Sequence, residues 1–349
     1  MPIIAEQFDV VIGVDTHKQT HTAAIVTARS GALEATITVP ATPSGFERLL
    51  AEASRHGVSR CWAIEGCGSW GHGLTRWLQA HDEHVVEVDR PKRPARRMGL
   101  KDDSIDALRA ARETLASRRP ASPRGHGQRD AVAAVQLARR SAIASATDAE
   151  RQLLGVAITA PELLAGKLRD HPTAHVVKTC ARWRPDTITD PWTRSIAETM
   201  RRIAQRIIAL RDEADGHEAT IKSLVKAWRP DLLEQQGVGP IVAGIVLSAW
   251  SHPGRIHNEA AFAMIAGCAP IPASSGQTTR HRLNRQGDRQ LNWAIHVVYL
   301  QRLRHHEATK TYVTRRRAEG KTSREVRRCV KRYIARELFQ ILEKPLDRQ

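Results

Sequence analysis

The sequence predicts an α/β layer followed by a mainly α half. Three observations lead there. Three short apolar runs near the N-terminus are separated by polar or Gly-containing turns. Helix and strand patterns then alternate, and beyond residue 130 Leu, Ile, Val and Ala recur at three- and four-residue spacings.

Residues 9–15, 21–28 and 32–40 run or alternate apolar, which predicts an antiparallel meander. Within the first, Val10, Val11, Ile12 and Val14 suit a strand buried on both faces, and Asp15 closes the run with a carboxylate. After Ser44 the period changes: 43–57 reads as helix, 60–66 as a short strand, 69–82 as helix, 84–89 as strand and 102–117 as helix. The alternation implies parallel crossovers in one mixed sheet. The Pro-, Gly- and Arg-rich stretch 117–129 predicts a domain linker. From Asp130 to about Lys167, and from about Pro191 to Trp228, the spacing predicts an antiparallel helical pair or coiled coil, with 171–190 between them as loop. The expected domains are 1–119, 120–228 and 229–349, the last mostly helical.

The 349-residue chain is 41% hydrophobic, enough for sizeable cores, yet no apolar run approaches the ~20 residues of a membrane span. The N-terminus lacks the basic-then-apolar order of a signal peptide, so the expected location is the cytoplasm. Five scattered cysteines without a C-x-x-C pair argue against a disulfide framework or a zinc knuckle. Charge is more telling. Lys and Arg number 54 against 37 acidic residues, and Gly276–Arg336 alone holds 17 against 4. Arginine forks suit phosphate, so this segment points to nucleic acid. It shows no apolar stripe of the kind a membrane-surface helix carries.

Asp15 and Glu65 each end a predicted strand, while Asp103 and Asp106 lie one turn apart at a helix start. If the first and fourth strands are neighbours, all four acids meet at one sheet edge. Such a cluster needs cations, and all-oxygen ligation favours Mg²⁺ or Mn²⁺. Two such ions can serve phosphodiester chemistry. In the basic half, the turn Gly237-Val238-Gly239-Pro240 before an apolar helix resembles the hairpin of helix-hairpin-helix modules, whose Gly amides approach a DNA phosphate. Further on, Ser274-Ser275-Gly276 is followed by Arg280, Arg282, Arg285 and Arg289 around Gly287. A serine hydroxyl there could attack phosphorus while the guanidiniums hold the developing charge.

Taken in order, VIGVDTHKQTHTAAIV, IEGCGSWG, KDDSIDA, GVGPIVAGIVL and AGCAPIPASSGQTTRHRLNRQGDRQLNWAIHVV resemble the DEDD transposases of the one-ten insertion-sequence family over about residues 9–344. The K-x-D-x-x-D-A pattern selects Asp103 and Asp106 and leaves Asp102 in a variable position. The resemblance implies a ribonuclease H fold in its RuvC-like form, carrying Asp15, Glu65, Asp103 and Asp106 around Mg²⁺ or Mn²⁺. It also implies a coiled coil and a C-terminal domain with a nucleophilic serine, mapped to Ser275 with Ser274 as the alternative. It further implies donor and target DNA, a structured noncoding guide RNA (the bridge RNA), and a dimer or tetramer of this chain, nucleoid-associated in a bacterium. The nearest rival is a RuvC-like junction nuclease that uses water. A sugar-kinase or actin-like ATPase would want Gly after the first Asp, where Thr16-His17-Lys18 stands, and a non-catalytic binding protein would not need the acids.

Overall fold

The computed structural model describes residues 2–88, 102–273, 281–282, 284 and 287–345. They form two compact units, 1–126 with 251–257 and 127–250 with 258–349.

The first unit holds α1 (Ile4–Gln7), β1 (Val10–Thr16), β2 (Thr20–Thr27), β3 (Leu33–Pro40), α2 (Pro43–Ser54), β4 (Arg60–Glu65), α3 (His72–Ala80), β5 (His84–Val88) and α4 (Asp103–Leu115). One five-stranded sheet runs in the order β3-β2-β1-β4-β5. β1 pairs antiparallel with β2 and β2 with β3, whereas β1–β4 and β4–β5 are parallel. The expected meander and crossovers are therefore present. Alternation along the strands splits the core in two. Val10, Ile12, Val14, Trp62 and Ile64 pack with Phe46, Leu49, Leu74 and Leu78 of α2 and α3, while Val11, Cys61, Ala63 and Val86 pack with Ala111 of α4.

Gly13 sets how closely α4 lies on the sheet. A Cβ there would stand 2.0 Å from the Ala107 carbonyl oxygen and 2.5 Å from the Ala111 nitrogen, both backbone. Ala107, Ala110 and Ala111 complete this flat seam. Gly13→Ala is expected to cost about 1–3 kcal/mol through overpacking. A lowered thermal transition would report it; an unchanged one would contradict the seam.

The second unit holds α5 (Gln128–Thr159), α6 (Glu162–Ala165), α7 (Thr173–Ala181), α8 (Pro191–Trp228), α9 (Pro240–Trp250), α10 (Glu259–Ile265), β6 (Ile271–Pro272), β7 (His281–Arg282), α11 (Arg289–His305), α12 (Glu307–Ala318) and α13 (Ser323–Glu343). α5 and α8 pair antiparallel, fixed by Arg139–Glu218 at 2.7 Å and by an Arg211–Glu150 ion pair. α7 corrects the expectation of loop over 171–190: Val176, Val177 and Cys180 are buried with Met200 and Ala204 of α8. Two β-branched valines and flanking prolines hid a single amphipathic helix. α9 is apolar on all sides and buried, as such a helix must be. It approaches α5 through Gly244, where a Cβ would meet Gln136 Nε2 at 2.5 Å. The short antiparallel pair β6–β7 was not expected in a helical region. All five cysteines are free, and burial pushes the Cys61 and Cys67 thiols up to about 12. Among the described residues no helix is long and apolar enough to cross a membrane.

Candidate active site

The register of β1 with β4 runs through Val14↔Ile64, so the next pair along is Asp15 and Glu65. Both belong to the set of alternate positions that faces α4, with Val11 and Gly13 on one strand and Cys61 and Ala63 on the other. The strand ends are tied together by Thr16, whose hydroxyl donates to the Glu65 carbonyl at 2.8 Å. The chain then turns away at Gly66, φ +72°, where a side chain would be strained and would press on Ser69 Oγ and Thr16 Oγ1. Because α4 lies flat on Gly13, its first turn brings Asp103 and Asp106 to this same edge.

The electrostatics record the convergence. Asp15, 14% exposed, has its carboxyl raised above the usual range, first by burial; His17 opposes the rise, and the negative charges of Asp103, Glu65 and Asp106 add to it. The charges of Glu65, Asp103 and Asp106 are thus all felt at Asp15. Asp102 has a different task. It caps α4, accepting from the Ser104 amide at 3.0 Å, a bond that lowers its own carboxyl. Asp102, in the motif's variable position, thus serves as the helix cap, while Asp103 lies 3.8 Å from His17 Nδ1. Asp106 carries a counter-ion, Arg109 Nη1 at 2.9 Å.

His17 was not anticipated. Its Nδ1 lies 3.9 Å from Asp15 Oδ2 and 3.8 Å from Asp103 Oδ2, and one ligand atom from each of the three fits within a 4.8 Å span. The signal was present: Asp15 and His17 are two apart at a strand end, and the His17 amide closes the turn on the Thr20 carbonyl at 3.0 Å. Carboxylates with one imidazole suit a divalent cation, with Mn²⁺ tolerating the nitrogen better than Mg²⁺.

In the second unit, the Gly237 turn is left-handed at φ +87°. It is anchored by Arg302, which donates to the Gln236 carbonyl at 2.9 Å and to both Glu337 carboxylate oxygens at 2.6 and 2.8 Å. Gly237 and Gly239 border a cleft of about 730 Å³, with the half-exposed Trp293 on its wall. Arg282 on β7 and Arg289 at the start of α11 are exposed. Ser274, Ser275, Arg280 and Arg285 lie outside the described residues; the two serines and Arg280 fall between β6 and β7.

The sheet order thus puts acids at the ends of β1 and β4 and on the first turn of α4. Residues 12–157 match a transposase family model of the DEDD type named for IS110, and residues 230–314 match the model described as the transposase IS116/IS110/IS902 family. The chain belongs to the IS110 family of DEDD transposases. It is 30% identical over 139 residues to an uncharacterized 43.6 kDa protein of insertion element IS110 from Streptomyces coelicolor, covering 39% of this chain and 34% of that one. It is 29% identical over 135 residues to an uncharacterized 42 kDa protein of insertion element IS900 from Mycobacterium paratuberculosis, covering 38% and 34%. The chain thus spans about a third of the length of these curated relatives.

Proposed function

We propose that the chain is a DNA transposase that cuts and rejoins DNA through a serine nucleophile, with the carboxylate edge of a RuvC-like sheet as its metal site. The observation that carries this reading is the mutual placement of Asp15, Glu65, Asp103 and Asp106 on the α4 face of the sheet. These residues fit a divalent ion: the donors are hard oxygens, and Asp15 is pushed up first by burial and then by three like charges that an ion would neutralise. Asp15, Glu65, Asp103 and Asp106 would hold Mg²⁺ or Mn²⁺, which would supply Lewis-acid stabilisation of phosphoryl oxygens.

Ser275 is the proposed nucleophile. Its Oγ forms a bond to phosphorus as the P–O bond to the leaving sugar oxygen breaks, and the hydroxyl proton passes to that oxygen through solvent or a neighbouring base. The phosphoserine keeps the energy of the cut bond, so rejoining needs no ATP. Arg280, Arg282, Arg285 and Arg289 would hold the phosphate charge, and the Gly237–Gly239 turn, read as part of a helix-hairpin-helix-like element, would approach the DNA backbone. A bridge RNA as guide is supported by the basic C-terminal segment and by an aromatic content of only 4%, which suits backbone contact more than base reading. Assembly as a dimer or tetramer on DNA would let the serine of one subunit serve the carboxylates of another.

The test is incubation with the element's end DNA and Mn²⁺, followed by denaturing electrophoresis. A covalent protein–DNA adduct is expected. Strand breaks without an adduct would replace this reading with the water-using nuclease. His17 supplies a separate prediction: His17→Ala should weaken Mn²⁺ binding about tenfold while changing Mg²⁺ binding much less, read by titration calorimetry. Equal loss for both ions would remove His17 from the ligand set.

A further inference from the structure

The second unit contains a cavity of about 370 Å³ at the foot of the β6–β7 pair, walled by the 267–270 loop, β7, α11, α12 and α13. We propose that this cavity takes one unstacked nucleotide of a single-stranded nucleic acid, with its phosphate on the guanidiniums and its base on Tyr333.

Charge supports the phosphate. Among the described residues, Arg282, Arg316, Lys321, Arg328, Lys331 and Arg332 line the cavity against a single acid, Glu325. That acid is already engaged at the start of α13, accepting from the Thr322 amide at 2.9 Å and the Thr322 hydroxyl at 2.8 Å. Arg332 shares Glu259 with Arg336, so one carboxylate serves two guanidiniums. Arg316 Nε and Arg332 Nη1 are buried without a hydrogen-bond partner among the described residues. A phosphate oxygen would satisfy such donors. Lys331 is held in place by the Asn292 side-chain oxygen at 2.7 Å and its carbonyl at 3.0 Å.

The aromatic pair supports the base. Tyr312 and Tyr333 meet edge to face, with centroids 5.5 Å apart at 80°. Arg315 and Arg316 lie over the Tyr312 ring at 5.5 and 5.9 Å, so that ring is already covered. Tyr333 remains 55% exposed at the cavity wall. An exposed ring beside guanidiniums is what an unstacked base finds in single-strand binders. The volume falls at the low end of the about 300–1,000 Å³ range of ligand pockets, enough for one nucleotide and too small for a duplex. Acidic peptides would match the charge but leave Tyr333 without a role.

This inference rests on the transposase reading in taking nucleic acid as the polymer, and its cavity shares Arg282 with the arginines assigned there to phosphate. The test is fluorescence anisotropy of the full chain at one fixed low salt concentration, with labelled single-stranded DNA, RNA of the same sequence and a blunt duplex. Tyr333→Ala should weaken single-strand binding about tenfold and duplex binding much less, while Tyr333→Phe should bind like wild type. The strand that loses more, DNA or RNA, identifies the natural occupant. Undiminished single-strand binding by Tyr333→Ala, or an equal loss on the duplex, would overturn the nucleotide pocket and leave the transposase reading standing. No binding to any of the three polymers by wild type would sink both.

Discussion

Asp15→Asn is expected to lose DNA cleavage by about 10³-fold or more, and in EDTA to melt at a higher temperature than the wild type. Loss of activity follows from removing a largely buried carboxylate of the cluster, since each ~1.4 kcal/mol of lost charge stabilisation is worth a factor of ten. The gain in stability follows from the same charge. Burial and three neighbouring carboxylates raise the Asp15 carboxyl, so the folded chain binds a proton there more tightly than the unfolded chain. Stability from this group is therefore full at low pH and lost as pH rises through the raised value. At neutral pH the wild type carries the whole cost, and an amide does not. Each kcal/mol relieved is worth about 2–4 °C in a domain of 150–250 residues. In calorimetric scans the wild type should gain stability as pH falls from neutral, and that component should be missing from the variant. Mn²⁺ should raise the wild-type transition and leave the variant's unmoved. If Asp15→Asn cuts DNA normally, the carboxylate edge is not the catalytic site.

Ser275→Ala should abolish the covalent adduct and all rejoining, whereas Ser274→Ala should retain both. Alanine has no oxygen to bond to phosphorus, so no partial activity through the same intermediate is available. The informative measurement is mass spectrometry of the adduct, which locates the phosphorylated residue directly. Adduct on Ser274, or normal recombination by Ser275→Ala, would reassign the nucleophile.

The carboxylate edge was legible because strand periodicity and topology act together. Val10, Ile12 and Val14 fall on one face, which places Asp15 on the other, and the parallel crossover makes β4 the neighbour that brings Glu65 alongside. What was hidden depends on three-dimensional neighbours that carry no periodic signal. The two-residue spacing of His17 from Asp15 hinted at a shared side, but its closeness to Asp103 depends on Gly13 admitting the α4 backbone. Asp102 and Asp103 are adjacent acids in sequence and differ only in that one caps the helix. α7 was missed because nine residues give only a few apolar positions, and their burial is decided by α8. The cationic cavity brings the 267–270 loop together with α13, some sixty residues later, and the raw charge count reported the excess without its shape.

The central claim is that Asp15, Glu65, Asp103 and Asp106 gather to hold divalent cations. Anomalous diffraction at the manganese edge, from crystals grown with Mn²⁺, tests it most directly. The expected map has at least one strong peak within about 2.0–2.3 Å of oxygens from Asp15 and at least one other of these acids. A map with no peak at this edge at saturating Mn²⁺, or with the metal held elsewhere in the chain, would contradict it.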